Sequence, residues 1–449
     1  MWYLRIALPS MKRLLLAAVA AGLAVPAASA GAEPIAGTIA GDMPGLMAIY
    51  RDLHAHPELS FQELRSAAIM AKAAREAGFE VTEKVGKTGI VAVMKNGPGP
   101  VVLIRADMDA LPVTEQTGLP FASKQRGVST AGVESGIMHA CGHDTHMTAW
   151  IETARLLAAR KADWSGTLVM IGQPAEEVGL GAVAMLKDGL YTRFPKPDYT
   201  LAFHDTPELP SGVVGAAKGW ALANVDSVDI VVKGVGGHGA YPHMTKDPIV
   251  LASAIVMKLQ TLASREIDPL DPVVVTVGSF HAGAKHNVIS DRAKLELTVR
   301  SYSDATRQKL LSGIRRIVEG EAIASGIPKD LMPEVTVEEP YTRSTYNSPE
   351  FTQEAIGYLQ QKMGKDRAII TPSVMGGEDF GEFRRADEDH IKSIIFWVGG
   401  SPAEKIAAAK AGGPPLPSLH SPFWAPEADK VVASGAQALT LTAMRLLAK

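Results

Sequence analysis

Apolar positions along this chain repeat with two periods, and the period changes twice. Residues 44–78 carry the three-to-four spacing of an amphipathic helix (Leu46, Ile49, Tyr50 and Leu53, then Leu64, Ala68 and Ala71), interrupted by "HPELS" and closed by Gly78. "IVAVMK" and "VVLIRADMDA" then read as strands on either side of the turn "NGPGP". Helix-like and strand-like segments keep alternating through "MTAWIETARLLAAR", "TLVMIGQPAEE", "GAVAMLKDGL" and "YTLAFHD". Strands apolar on both faces, alternating with helices, predict a largely parallel sheet covered on both sides.

Near residue 223 the rhythm becomes strictly alternating. "VDSVDIVVKG", "DPVVVTVGSF" and "AKLELTVRSY" are period-two strands, and "PIVLASAIVMKLQTLA" and "TRQKLLSGIRRIVEGEAIASG" are helix-like. That combination predicts an antiparallel sheet with two helices on one face. The first pattern returns with "PEFTQEAIGYLQQKM", "SIIFWVGG" and a helical tail after Pro426. The expected fold is therefore α/β: a mostly parallel, doubly wound catalytic domain (31–222 and 340–449) with an inserted α+β domain (223–339). A chain of 449 residues is long enough for two cores.

Composition narrows the function. With 46% hydrophobic and 21% charged residues the chain is globular, and a net charge of −3 without a basic run argues against nucleic acid. The N-terminus stands apart: Arg5, Lys12 and Arg13, an apolar stretch from Leu14 to Val25, and Ala28-Ser29-Ala30. This reads as a secretory signal peptide over residues 1–30. The apolar run falls short of the roughly 20 residues that span a bilayer, which disfavours an anchor. Met11 also has an n-region behind it, so two translation starts are open. The expectation is an exported, periplasmic or secreted protein.

Export favours disulfides, yet the chain has one cysteine, Cys141, in "HACGHDTHMT" among three histidines and an acid. Thiolate and imidazole are ligands for borderline-soft divalent metals. Other unusual polar residues fall at expected carboxyl ends of strands, where open α/β sheets place their ligands: Asp107 and Asp109, Glu176 and Glu177, His204 and Asp205. His420 lies in the Pro-rich "PSLHSPFW". Each alone has a plain structural reading, as a solvated strand end or a satisfied histidine. Their coincidence points to a metal site. Adjacent Glu176 and Glu177 can divide the work, one facing an ion and the other the water it activates. Such a carboxylate can take a proton from water and return it to a leaving amine, which amounts to amide hydrolysis.

"RADMDALP", "MHACGHDTH", "GQPAEE", "GGHGAYPH", "HNVIS", "GGEDF" and "LHSP" together resemble the co-catalytic dinuclear metallohydrolases of the aminoacylase/carboxypeptidase group. The nearest branch is that of the hippurate hydrolases and plant auxin-conjugate amidohydrolases, and the match runs from about residue 44 to the end. The resemblance implies two divalent ions (zinc, manganese, cobalt or nickel) held by Cys141, His143, Glu177, His204 and His420. It implies Glu176 as general base and acid on a metal-bridging water, and Asp109 as the residue that orients a ligand. His139 and His146 are not carried over as ligands.

The inserted domain resembles the family's dimerisation domain. By that likeness His238 reaches the partner's site in a homodimer and steadies the oxyanion. Asn287 and Arg300 fall where relatives hold polar substrate groups, and Gly376 and Gly377 of "MGGEDF" line the pocket. The implied activity is cleavage of N-acyl-amino acids, with a carboxypeptidase or dipeptidase, or a non-catalytic conjugate binder, as rivals. Three places depart from the usual wording: Ser290 replaces a proline, Asp205-Thr206 follow His204 where an apolar or aromatic residue is common, and "TRSTYNSPE" differs slightly. Asp205 is left open between a contact for a cationic substrate and a surface residue.

Overall fold

The computed structural model describes residues 34–129 and 132–449, so the expected signal peptide lies outside the described residues. An eight-stranded sheet runs in the order Glu80–Val85, Gly89–Asn96, Gly166–Gln173, Val101–Asp107, Tyr199–Pro210, Lys392–Ser401, Val214–Ala216, Ala368–Ile370. Its four middle strands, from Gly166–Gln173 to Lys392–Ser401, are mutually parallel, while the pairs Glu80–Val85/Gly89–Asn96, Gly89–Asn96/Gly166–Gln173 and Lys392–Ser401/Val214–Ala216 are antiparallel. Residues of each middle strand alternate between two cores. Val102, Ile104, Leu201, Phe203, Ile394 and Phe396 face one core, and Leu103, Ala202, Ile395 and Trp397 the other. Burying each large side chain contributes about 1.5–3 kcal/mol, so each strand is held from both sides.

The first core is covered by the helices Pro34–Ala55, His143–Ala159 and Ala428–Leu446, which pack on one another. His143–Ala159 is buried along nearly all its length although it contains several threonines. Their hydroxyls cost little there, because Thr145, Thr148 and Thr153 donate to the carbonyls of Gly142, Asp144 and Ala149 at 2.7–2.8 Å. The helix Pro34–Ala55 begins ten residues before the apolar spacing predicts and runs through Pro44. Ile35 and Ile39 extend its buried face, and that packing outweighs the hydrogen bond proline cannot make. The turn "NGPGP" does not close a hairpin, since Gly166–Gln173 lies between the two strands it joins.

Residues 224–337 form a separate four-stranded antiparallel sheet, Val274–Ala282, Arg292–Ser301, Asn224–Lys233, Glu334–Val337. The helices Pro248–Thr261 and Asp304–Ala324 share a core with it built on Ile230, Ile255, Leu295 and Leu310. Asp247 and Ser303 cap these helices through their side chains. Among the described residues no strand pairs with the outer side of Val274–Ala282, which is an edge of the sheet. Among the described residues no helix is long and apolar enough to cross a membrane.

Candidate metal centre

Register across the parallel strands brings the chemistry to one level. Gln173 pairs with Asp107, and His204 pairs with Trp397. Ile104 pairs with Leu201, so three residues further on Asp107 stands level with His204. Beyond this level the chain supplies Asp109, Glu176 and Glu177, and the helix His143–Ala159 begins there behind Cys141. The strand carrying His204 does not stop at Asp205 as its sequence predicts. It continues to Pro210 because Lys392–Ser401 runs beside it.

Five donors converge. Cys141 Sγ lies 3.4 Å from His204 Nε2 and 3.2 Å from His420 Nε2. His420 Nε2 lies 3.4 Å from Glu177 Oε2, and His143 Nε2 lies 3.9 Å from both Glu176 Oε2 and Glu177 Oε1. Ligands at ~2.0–2.3 Å from a tetrahedral ion stand about 3.3–3.8 Å apart, and the observed 3.2–3.9 Å are close enough to that for these atoms to be able to hold a cation. His143 Nε2 and Glu177 Oε1 are also buried with no hydrogen-bond partner among the described residues. Orphaned polar atoms at a point where soft and hard donors meet fit divalent metal.

Electrostatics agree. Burial, then Glu177 and Glu176, push the Cys141 thiol well above its ordinary range, so only a nearby cation would hold a thiolate there. Burial also pushes the Glu177 carboxyl upward against the pull of His143. For His143 burial opposes the charge, but Asp107 and its neighbours outweigh it and hold the imidazole up at about 10. The centre is short of positive charge.

His146 is not free to bind an ion. Its Nδ1 lies 2.6 Å from Asp107 Oδ1, and its Nε2 accepts the Asp205 amide at 3.0 Å. His139 is buried and its ring nitrogens make no hydrogen bond among the described residues, its pKa lowered by burial to about 4.

A second layer fixes the donors. The Asp109 carbonyl accepts from His143 Nδ1 at 2.8 Å, which sets the ring with Nε2 facing the site. The Asp109 carboxylate accepts the amides of Glu176 and Glu177, each at 3.0 Å, and the Ser60 hydroxyl at 2.6 Å. Glu63 accepts the amide of Ala175 at 2.8 Å. Three successive N–H groups thus point at two buried carboxylates, and Ala175 takes a positive φ of 49° to allow it. Nothing in "SFQELR" separates Glu63 from an ordinary acid at a helix start.

Arg105 stands first in "RADMDALP", where the sequence gives it no role. Fully buried, it donates to Asp107 at 2.6 Å, Gln173 at 2.8 Å and Glu378 at 2.7 Å. The one available signal is an arginine inside an apolar strand, which must be paired. Arg105→Met should strand Asp107 and Glu378 without a cation and destabilise the fold by about 3–5 kcal/mol. The expected melting-temperature drop is about 3–6 °C, since a chain of this length loses about 1 °C per kcal/mol. A thermal scan within about 2 °C of wild type would contradict this.

Beside the donors opens a cleft of about 480 Å³. Cys141, Glu176, Glu177, His204 and His420 line one side, and Leu222, Val225, Arg300, Gly376 and Gly377 line the other. A Cβ on Gly377 would come within 2.5 Å of Val225, so only glycine allows this close approach. Arg300 donates to the Met375 carbonyl at 3.3 Å and remains half-buried. His238 and Asn287 do not enter the cleft of their own chain. They lie on an exposed two-stranded ribbon, where the Gly239 amide donates to the Asn287 carbonyl at 2.9 Å and the Ala240 amide to His238 Nδ1 at 3.0 Å. Asp205 is neither a surface residue nor a substrate contact. It is fully buried behind the donors.

The Peptidase family M20/M25/M40 model matches residues 103–411. N-acetylcysteine deacetylase of Bacillus subtilis (strain 168) is 37% identical over 362 residues, covering 80% of this chain and 89% of that protein. Hippurate hydrolase of Campylobacter jejuni is 38% identical over 336 residues, covering 75% of this chain and 84% of that one. Among solved structures, the Bacillus subtilis YXEP protein, described as a dinuclear metal binding peptidase from the M20 family, superposes with a TM-score of 0.70 at 32% identity. That superposition covers 90% of this chain and 98% of that one.

Proposed function

Because the chain belongs to peptidase family M20/M25/M40, we propose that it hydrolyses the amide bond of N-acyl-amino acids of the hippurate or acetyl-amino-acid type. In this reading Cys141, His143, Glu177, His204 and His420 hold two divalent ions. The observation that carries it is the adjacent pair Glu176 and Glu177. Both are clamped through their amides by Asp109, with Glu177 among the donors and Glu176 facing the cleft.

When bound, two divalent ions polarise a carbonyl and lower the pKa of an attacking water. The protein does the rest. Glu176 accepts the proton of that water and delivers it to the leaving amine. Arg300 faces the cleft as a cation suited to the carboxylate of an amino acid. Leu222, Val225 and Leu419 give the acyl group an apolar wall.

His238 then serves a second copy as the donor to the oxyanion. Its exposed ribbon supports a homodimer, as do the exposed Val250, Met257 and Phe280 beside the edge strand Val274–Ala282. Export by residues 1–30 completes the proposal.

A panel of hippurate, acetyl-amino acids and dipeptides tests it, run with manganese, cobalt, nickel or zinc and again after chelation. Turnover of the N-acyl-amino acids, lost on chelation and restored by a divalent ion, is expected. Cleavage of peptides alone would favour a carboxypeptidase, and tight binding without turnover a conjugate binder.

A further inference from the structure

Asp205, the acid that the sequence leaves without a role, sits at the junction of three ligand-bearing segments. Its carboxylate lies flat against Gly142, between Cys141 and His143, so close that a Cβ there would be 2.4 Å from Oδ2. Its own carbonyl accepts from His204 Nδ1 at 2.7 Å, which turns His204 Nε2 toward Cys141. Oδ1 lies 3.4 Å from both His204 Nδ1 and His146 Nε2. Oδ2 accepts the indole N–H of Trp424 at 3.1 Å.

That last contact reaches the loop of His420. His420 is held with a positive φ of 66°, a conformation that non-glycine residues adopt only when their surroundings impose it. The segment around it has no helix or strand. It is pinned by the His420 amide on the Ala140 carbonyl at 2.8 Å, by the Pro422 carbonyl on the Gln116 amide at 2.8 Å, and by buried Trp424 on Asp205. The third pin is a bond between side chains, so it alone depends on residue identity at both ends.

We propose that Asp205 is a positioning residue that sets His204 through its carbonyl and His420 through Trp424, fixing the two imidazoles that flank Cys141 Sγ. The inference rests on the proposed metal reading, and it concerns how well the pair of ions is held. Partners of metal ligands typically carry 10–100-fold in affinity.

The test uses the full-length protein and competition between it and a chromophoric chelator for zinc. Trp424→Phe keeps an aromatic side chain and removes the N–H together with the pyrrole ring, so the rescue by Asp205→Asn and the double variant separate the lost hydrogen bond from lost packing. Trp424→Phe should weaken one of the two ions about 10–100-fold and leave the other within a few-fold. Asp205→Leu should reproduce that loss, whereas Asp205→Asn, which can still offer the indole an oxygen, should restore most of it. The double variant Asp205→Leu/Trp424→Phe should lose no more than either single variant, because both remove one interaction. Wild-type affinity for both ions in Trp424→Phe would overturn the inference, as would losses that multiply in the double variant. If Asp205→Leu does not fold, Trp424→Phe decides together with Asp205→Asn. A wild-type protein that takes up no divalent ion would instead refute the metal reading, so the two failures are distinguishable.

Discussion

Glu176→Gln is expected to lower kcat by roughly two to four orders of magnitude while metal content and melting temperature stay at wild-type values. The substitution is nearly isosteric and removes one capacity, that of holding a proton in transit. It should not disturb the turn, because Asp109 grips residue 176 through its backbone amide, which glutamine retains. It should not expel an ion, because the donor facing His420 is Glu177. It also removes a buried carboxyl that burial, Glu378 and Glu177 all push toward protonation, with Arg105 pulling the other way. A neutral side chain is therefore easy to accommodate, and stability should not fall. Single-turnover kinetics with metal analysis on the same preparation check this. A variant that keeps more than about a tenth of the activity would remove Glu176 from the proton transfer, since general-base catalysis is worth at least ~10²-fold.

Much of the scaffold was legible because burial on both faces leaves a plain trace. Val101–Asp107, Gly166–Gln173 and Lys392–Ser401 are short apolar runs, and in Asn224–Lys233 burial alternates residue by residue. What the pattern does not hold is neighbourhood. Gly166–Gln173 sits between two strands adjacent in sequence, and no local preference encodes that. The candidate site divides in the same way. The clustering of His, Cys and acidic residues shows that a metal site is to be expected, whereas the choice of Cys141, His143, Glu177, His204 and His420 within it comes from the family resemblance.

The supporting residues are common types whose meaning lies in distant partners. Arg105 meets Glu378 across 273 positions, Glu63 meets Ala175 across 112, and Asp205 meets Trp424 across 219. His54, in the last turn of the helix Pro34–Ala55 just before "HPELS", is buried between Asp144 at 2.7 Å and Glu115 at 3.1 Å. There burial opposes its charge, yet the two acids hold its pKa up at about 10. A sequence displays which groups can do chemistry more readily than which groups hold them still.

Gly142→Ala, the addition of one methyl group, is expected to abolish tight metal binding and to cut kcat/KM by at least about 10²-fold, since a 1 Å misplacement can cost that much. Gly142 has a φ of 76°, where a Cβ costs roughly 1–2 kcal/mol. The new atom would also lie 2.4–2.5 Å from three atoms of the Asp205 carboxylate. That carboxylate is no loose side-chain end, because the Trp424 indole holds it and His146 and His204 close in beside it. Relief therefore requires a shift of about 1 Å, either in Asp205 or in the backbone joining Cys141 to His143. Overpacking of this kind adds about 1–3 kcal/mol. Such a shift exceeds the roughly 0.5 Å within which ligand groups must be placed.

A comparison with Cys141→Ser separates this from simple loss of a donor. The clash in Gly142→Ala is between protein atoms, so the melting temperature should fall in chelated protein as well as in metal-loaded protein. Cys141→Ser should lower only the loaded value, because it removes stabilisation that binding supplies. Gly142→Ala protein with two ions bound and near-normal turnover would mean that Asp205 does not lie beneath the Cys141–His143 turn, and the pinning of His420 through Trp424 would lose its foundation.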